Sequence, residues 1–253
     1  MRLSSFLWFT SIILIIGIGI AHRTLSSVDD PLPINFSEQI AFDNSPLIEE
    51  TWQRPPGPPR VALQVGHWKN NELPDEFARL RETGGGTRGG GKAEWEVNLV
   101  IAELTAELLR AEGVIVEILP ATIPPSYWAD IFVSVHADGS ETAGTSGYKV
   151  AAPWRDVTGK APLLASLLEQ EYGKQTQLPL DPNITRNMRG YYAFNWRRYD
   201  HALHPMTTAA IVETGFLTSP HDQQTLIHQP EVSAQGIANG IMAFINNQQI
   251  GAV

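Results

Sequence analysis

Residues 129–138 read ADIFVSVHAD, and this stretch decides the fold. Ile131–Val135 is an apolar, β-branched run of the kind that makes a buried strand, and a histidine, His136, follows it directly. Two other runs repeat the pattern. VALQVGH (61–67) ends on His67, and TTAAIVETGF (207–216) carries Glu213 just before a glycine. A fourth polar residue, Glu94, opens the amphipathic stretch EWEVNLVIAELTAELL. In an open α/β sheet, ligands and metals bind at the carboxyl ends of the strands. Two imidazoles and a carboxylate from His67, Glu94 and His136 would make a His2Glu zinc site with one open position for water. Glu213 nearby would then serve as general acid/base.

The rest of the chain continues the alternation. The stretch from Glu94 to Ala111 places Val97, Val100, Ile101, Leu104, Leu108 and Leu109 on a helical stripe that Gly113 ends. Further strands are read at Val114–Leu119 and Gly147–Ala152, and further helices at Pro162–Tyr172 and Val232–Asn246. Strands alternating with helices predict a three-layer α/β domain: a largely parallel central sheet with helices on both faces. That domain is read over 61–247, with 248–253 as a C-terminal tail.

The chain has 253 residues, room for one good-sized domain with appendages. Its 43% hydrophobic and 18% charged residues describe a globular protein. A formal net charge of −9 argues against a nucleic-acid partner, which normally meets a basic footprint. With no cysteine, disulfides, thiolate metal sites and a cysteine nucleophile are excluded, and any metal must be held by histidine and carboxylate. Phe6–Ala21 is a nearly unbroken apolar run of about 16 residues, short for a bilayer span and suited to a signal-peptide core or a short signal anchor. Residues 22–60, with the run Arg54-Pro55-Pro56-Gly57-Pro58-Pro59-Arg60, read as a semi-rigid Pro-rich linker. Gly84 to Gly91, interrupted only by Thr87 and Arg88, lacks the Gly-Lys-Ser/Thr ending of a phosphate loop and reads as a flexible connection that delivers Glu94.

Taken together and in order, these motifs resemble the zinc-dependent N-acetylmuramoyl-L-alanine amidases of the type 3 family. The resemblance is carried by Gly66-His67, by Glu94 with Val97-Asn98-Leu99-Val100-Ile101-Ala102, by Ser134-Val135-His136-Ala137-Asp138, and by Val212-Glu213-Thr214-Gly215-Phe216. Phe216 to Ser219, Asp222, and Ile237 to Ile241 extend it into the tail. The resemblance implies Zn2+ as cofactor and peptidoglycan as partner. It also implies hydrolysis of the amide between the lactyl group of N-acetylmuramic acid and L-alanine. His67, Glu94 and His136 would be the metal ligands and Glu213 the proton shuttle. An extracytoplasmic place and a monomeric state go with that reading. Glu96 is the rival to Glu94, and Arg197 or Arg198 would be the partner of a merely structural Glu213. His201 and His204 are further metal or substrate candidates. Trp154, Tyr191, Tyr192, Trp196 and Tyr199 are candidates for a sugar or peptide groove.

Three departures from the family pattern keep other readings open. A stretch of 26 residues, from Trp68 to Ala93, separates His67 from Glu94. Trp68-Lys69 stands where a Gly-Gly pair is usual. Only ATIPPSYWA precedes Asp130, where the family carries an arginine-bearing helix. A zinc hydrolase of the same fold acting on another amide or peptide is one alternative, and a catalytically silent wall-binding module is the other.

Overall fold

The computed structural model describes residues 51–142 and 144–251. Its centre is a five-stranded sheet in the order β4-β1-β5-β7-β6. The strands are β1 (Arg60–Val65), β4 (Ile115–Leu119), β5 (Ile131–Asp138), β6 (Lys149–Ala151) and β7 (Thr208–Phe216). A two-stranded hairpin of β2 (Arg88–Gly89) and β3 (Lys92–Ala93) stands apart. All pairings in the main sheet are parallel except β6 with β7. Three long helices complete the frame: α1 (Glu94–Ala111), α2 (Ala161–Thr176) and α3 (Pro230–Gln248).

The period-two alternation of the strands sorts their side chains. Val61, Leu63, Val65, Val133, Val135, Ala210 and Val212 share one core with α1, α2 and α3. Ala62, Phe132, Ala209 and Ile211 face the other way, onto Ile123, Met188, Ala193, Phe194 and Leu203. That second layer is helical only in short turns, Arg186–Arg189 and Tyr192–Phe194. On its side of the sheet lie Gln64, Ser134, His136 and Glu213, because each is an even number of residues from a strand residue of that core.

Topology places the site. From β1 the chain passes through α1 to β4 on one side, and from β5 it passes on to β6 and β7 on the other. The order therefore reverses between β1 and β5, and such a switch point opens a crevice at the carboxyl ends of the two strands. His67 follows β1, and His136 lies near the end of β5.

Two parts differ from expectation. Residues 68–93 form two short 3-10 turns, a four-residue helix and the β2–β3 hairpin. Leu73 and Phe77 bury themselves with Ala121, and the Phe77 ring meets Tyr192 and Tyr199 at centroid distances of 4.7 Å each. The glycine run ends in the β2–β3 hairpin, which is pressed so closely on Leu217 that a Cβ on Gly89 would lie 1.9 Å from its carbonyl oxygen. This is a packed connection, not a flexible one. The end of the Pro-rich segment is also attached. Arg54 pairs with Asp130, whose side chain is 5% exposed, and the Trp52 ring lies 5.5 Å from that of Trp128. Asp130 also accepts from the Arg60 backbone, so burial of one carboxylate ties residues 54–60 to the start of β5. The apolar run Phe6–Ala21 lies outside the described residues, among which no helix is long and apolar enough to cross a membrane.

Candidate active site

Gly66 and His67 make the first corner of the site. Gly66 donates to the Val135 carbonyl, which holds the end of β1 against β5. A Cβ on Gly66 would lie 2.4 Å from the His136 ring, so only glycine lets that ring approach. His67 follows with φ 63°, a left-handed conformation that non-glycine residues adopt at a cost of about 1–3 kcal/mol and that concentrates at functional sites. The turn brings the two imidazoles edge to face, with centroids 5.2 Å apart.

Glu94 enters from the first turn of α1, where the positive end of the helix dipole favours a carboxylate. It is 4% exposed and held from several sides. Oε2 accepts from the Thr87 backbone at 3.0 Å, and Oε1 from the Ala137 backbone and Asn98 Nδ2, each at 3.3 Å. Glu96 instead accepts from the Ala93 backbone at 2.7 Å and caps its own helix. Burial opposes the charge of Glu94, but His136, His67 and Thr87 outweigh it and hold its pKa below the usual carboxylate value.

The carboxylate bridges the two rings. Oε1 is 2.9 Å from His136 Nδ1, and Oε2 is 3.5 Å from His67 Nε2. A tetrahedral zinc with ligand bonds of about 2.0–2.2 Å sets its ligand atoms about 3.3–3.6 Å apart. One ligand atom from each of the three residues lies within 4.8 Å of the other two, so the donor set fits a metal ion in both chemistry and size. Burial works against a charge on His136, but the Tyr191 oxygen and Glu94 raise its pKa well above the usual histidine value. Burial lowers that of His67, aided by the charge on His136; Glu94 and the nearby Gly84 backbone oppose the shift.

Glu213 is the direct neighbour of His136 across the β5–β7 pairing, just before a register shift at Asp138. Such bulges re-aim side chains beside sites. No described arginine pairs with Glu213. Across β6 it faces Lys149, which is held by Asp138 and Asp181 at 2.7 and 2.8 Å. Burial pushes the Glu213 pKa up to about 7; His136 and Lys149 pull against this, while Glu94 and Asp138 add to it. Glu213, His67, Glu94 and His136 all line a pocket of about 430 Å³. Beside it runs a cleft of about 1020 Å³ between the 75–83 wall and the 187–199 segment, lined by Phe77, Tyr191, Tyr192 and Tyr199.

Other candidates fall elsewhere. His201 pairs with Glu76 at 2.7 Å, and His204 lies against Trp52, 6.0 Å between rings. Trp154 is 57% exposed and lies outside both pockets. Sequence reasoning missed Gln64, Thr87 and Lys149. The one available signal was a glutamine inside the apolar run of β1, a residue that needs a buried partner.

The Amidase_3 family model, described as N-acetylmuramoyl-L-alanine amidase, matches residues 61–245. No curated protein sequence matches the chain. Solved structures share the fold at low identity. The N-acetylmuramoyl-L-alanine amidase from Clostridium difficile 630 is 20% identical with a TM-score of 0.54, covering 76% of this chain and 99% of that one. The amidase Ami1 from Mycobacterium smegmatis is 18% identical at 0.55, with the same coverage. The catalytic domain of CwlV from Bacillus (Paenibacillus) polymyxa var. colistinus is 19% identical at 0.53, covering 74% of this chain and 98% of that domain. Because the family model spans most of its length, this chain belongs to the Amidase_3 family of N-acetylmuramoyl-L-alanine amidases.

Proposed function

We propose that this amidase hydrolyses peptidoglycan as a zinc enzyme, with His67, Glu94 and His136 as metal ligands and Glu213 as proton shuttle. The observation that carries the reading is the bridging of both imidazoles by one buried carboxylate, with Glu213 beside His136 in the sheet. When bound, zinc supplies a Lewis acid that polarises the substrate carbonyl and makes water more acidic.

The remaining steps fall to the chain. Glu213 takes a proton from the attacking water, whose oxygen bonds to the lactyl carbonyl carbon. The carbon–nitrogen bond then breaks, and Glu213 returns the proton to the amine of L-alanine. A carboxyl pKa of about 7 suits a group that must both accept and donate a proton near neutrality. The glycan and peptide arms of the substrate would extend along the cleft beside the pocket. Residues 1–21 would direct export, giving an extracytoplasmic enzyme, and the catalytic unit would act as a monomer.

Metal analysis of the purified chain tests the cofactor, with one zinc per chain expected. Products from purified muropeptides test the bond: free stem peptide beginning with L-alanine is expected. A metal-replete protein that leaves the muramoyl–alanine amide intact while cutting another amide would refute the substrate.

A further inference from the structure

Behind His136 runs a chain of hydrogen bonds whose direction can be read from one end. The Ala121 carbonyl can only accept. It takes the Tyr192 hydroxyl at 2.5 Å and Gln64 Nε2 at 2.8 Å. With its amide nitrogen committed there, Gln64 turns Oε1 the opposite way, toward Ser134 Oγ at 2.7 Å and the Tyr191 hydroxyl at 3.0 Å. Both hydroxyls therefore donate to it. The Tyr191 hydrogen has two longer outlets, the Tyr192 oxygen and His136 Nε2, each at 3.2 Å. Gln64 Oε1, at 3.0 Å, is the nearest of the three acceptors and carries no hydrogen of its own, so this contact needs the Tyr191 hydrogen and draws it into the network. Its lone pair then faces His136 Nε2, 3.2 Å away. Only a protonated Nε2 completes that contact, while Nδ1 faces Glu94.

We infer that Tyr191, oriented by Gln64, is a positioning residue that fixes His136 with its proton on Nε2 and presents Nδ1 to the metal position. The inference rests on the zinc reading above. A ligating imidazole has two tautomers, and the hydrogen bond made by the distal nitrogen selects between them. The network also accounts for a costly feature of the core. Gln64 and Ser134 are adjacent in register and both are 0% exposed, within the otherwise apolar runs Val61–Val65 and Ile131–Val135. Burying two such groups for packing alone would be unfavourable. The Tyr191 ring stands edge to face on His136 with centroids 5.4 Å apart, which restrains rotation of the imidazole.

Tyr191→Phe keeps that ring and removes the hydroxyl. Zinc titration of the full chain against a chromophoric chelator reads the consequence. The expected result is a zinc Kd raised about 10–100-fold, as for other partners of ligating histidines, with the Tm of the metal-free protein unchanged. Nitrogen NMR of the zinc-loaded wild type should show His136 protonated at Nε2. An unchanged zinc Kd in the variant, or a proton on Nδ1 in the wild type, would overturn the inference. So would a loss of affinity matched by a fall in the metal-free Tm, since Tyr191 would then be a packing residue. Failure of the wild type to bind zinc is a separate outcome, and it sinks the zinc reading and this inference with it.

Discussion

Gly86 is predicted to be as necessary to the metal site as a ligand, although it has no side chain. Its φ is +78°, and a Cβ there would lie 2.2 Å from Glu94 Oε2 and 2.8 Å from Glu94 Cβ. Ordinary contact needs about 3.4 Å or more, so in Gly86→Ala the carboxylate must retreat by about 1 Å. Oε2 is the atom that accepts from the Thr87 backbone at 3.0 Å and faces His67 Nε2 at 3.5 Å. That retreat breaks the Thr87 bond and pulls the proposed ligand from its place. An L-residue in the left-handed region costs about 1–2 kcal/mol, and a lost hydrogen bond to a buried charge costs about 1.5–3 kcal/mol. The sum, about 2.5–5 kcal/mol, corresponds to a fall in Tm of roughly 5–20 °C for a domain of this size. Gly84→Ala and Gly91→Ala are the controls. Both sites have positive φ, and neither has anything within 4 Å of an added Cβ. They should show the backbone cost of about 1–2 kcal/mol with zinc affinity unchanged. Calorimetry of the metal-free proteins and zinc competition titrations measure both effects. If Gly86→Ala matched the controls in both, the reasoning that Gly86 cradles Glu94 would be refuted.

Glu213→Gln should retain zinc and lose about 10²–10⁴-fold in kcat; equal zinc content with near wild-type turnover would remove Glu213 from the mechanism. Arg54→Ala leaves Asp130 with the Arg60 backbone as its remaining donor, so a loss of about 1–3 kcal/mol is expected in urea unfolding. A chain beginning at Arg60 should be destabilised in the same way, and wild-type stability in either would show the contact to be incidental. Asp222 is 0% exposed; burial opposes its charge, but Ser146, the Phe216 and Gly147 backbones and His221 hold its pKa below the usual value. Its contribution to stability is therefore present above an unfolded pKa of about 3.9 and fades as pH falls through the lower folded value. The Tm gap between wild type and Asp222→Asn should be widest near neutrality and narrow below about pH 4, and a gap independent of pH would count against that account.

The strands and long helices were legible because their evidence is local. The run IFVSV is too apolar to lie on a surface, and the stripe from Val97 to Leu109 has the period of one helix face, so β5 and α1 fall where expected. The resemblance pointed to His67, Glu94, His136 and Glu213 because each belongs to a short motif attached to such an element. The glycine run was misread for a physical reason. Glycine permits both a loose loop and the tightest packing, and only the neighbours, Leu217 and Glu94, reveal which applies. The Pro-rich segment looked like a spacer because the burial that anchors Arg54 lies at Asp130, 76 residues away. Chain order likewise hides the network from Ala121 through Gln64 and Tyr191 to His136, whose members come from β1, β5 and two irregular segments. The sequence by itself determined the elements and the residue types of the site. The tertiary structure decided which atoms of those residues face one another, because hydrogen-bond direction and close approach exist only between chain segments already folded together.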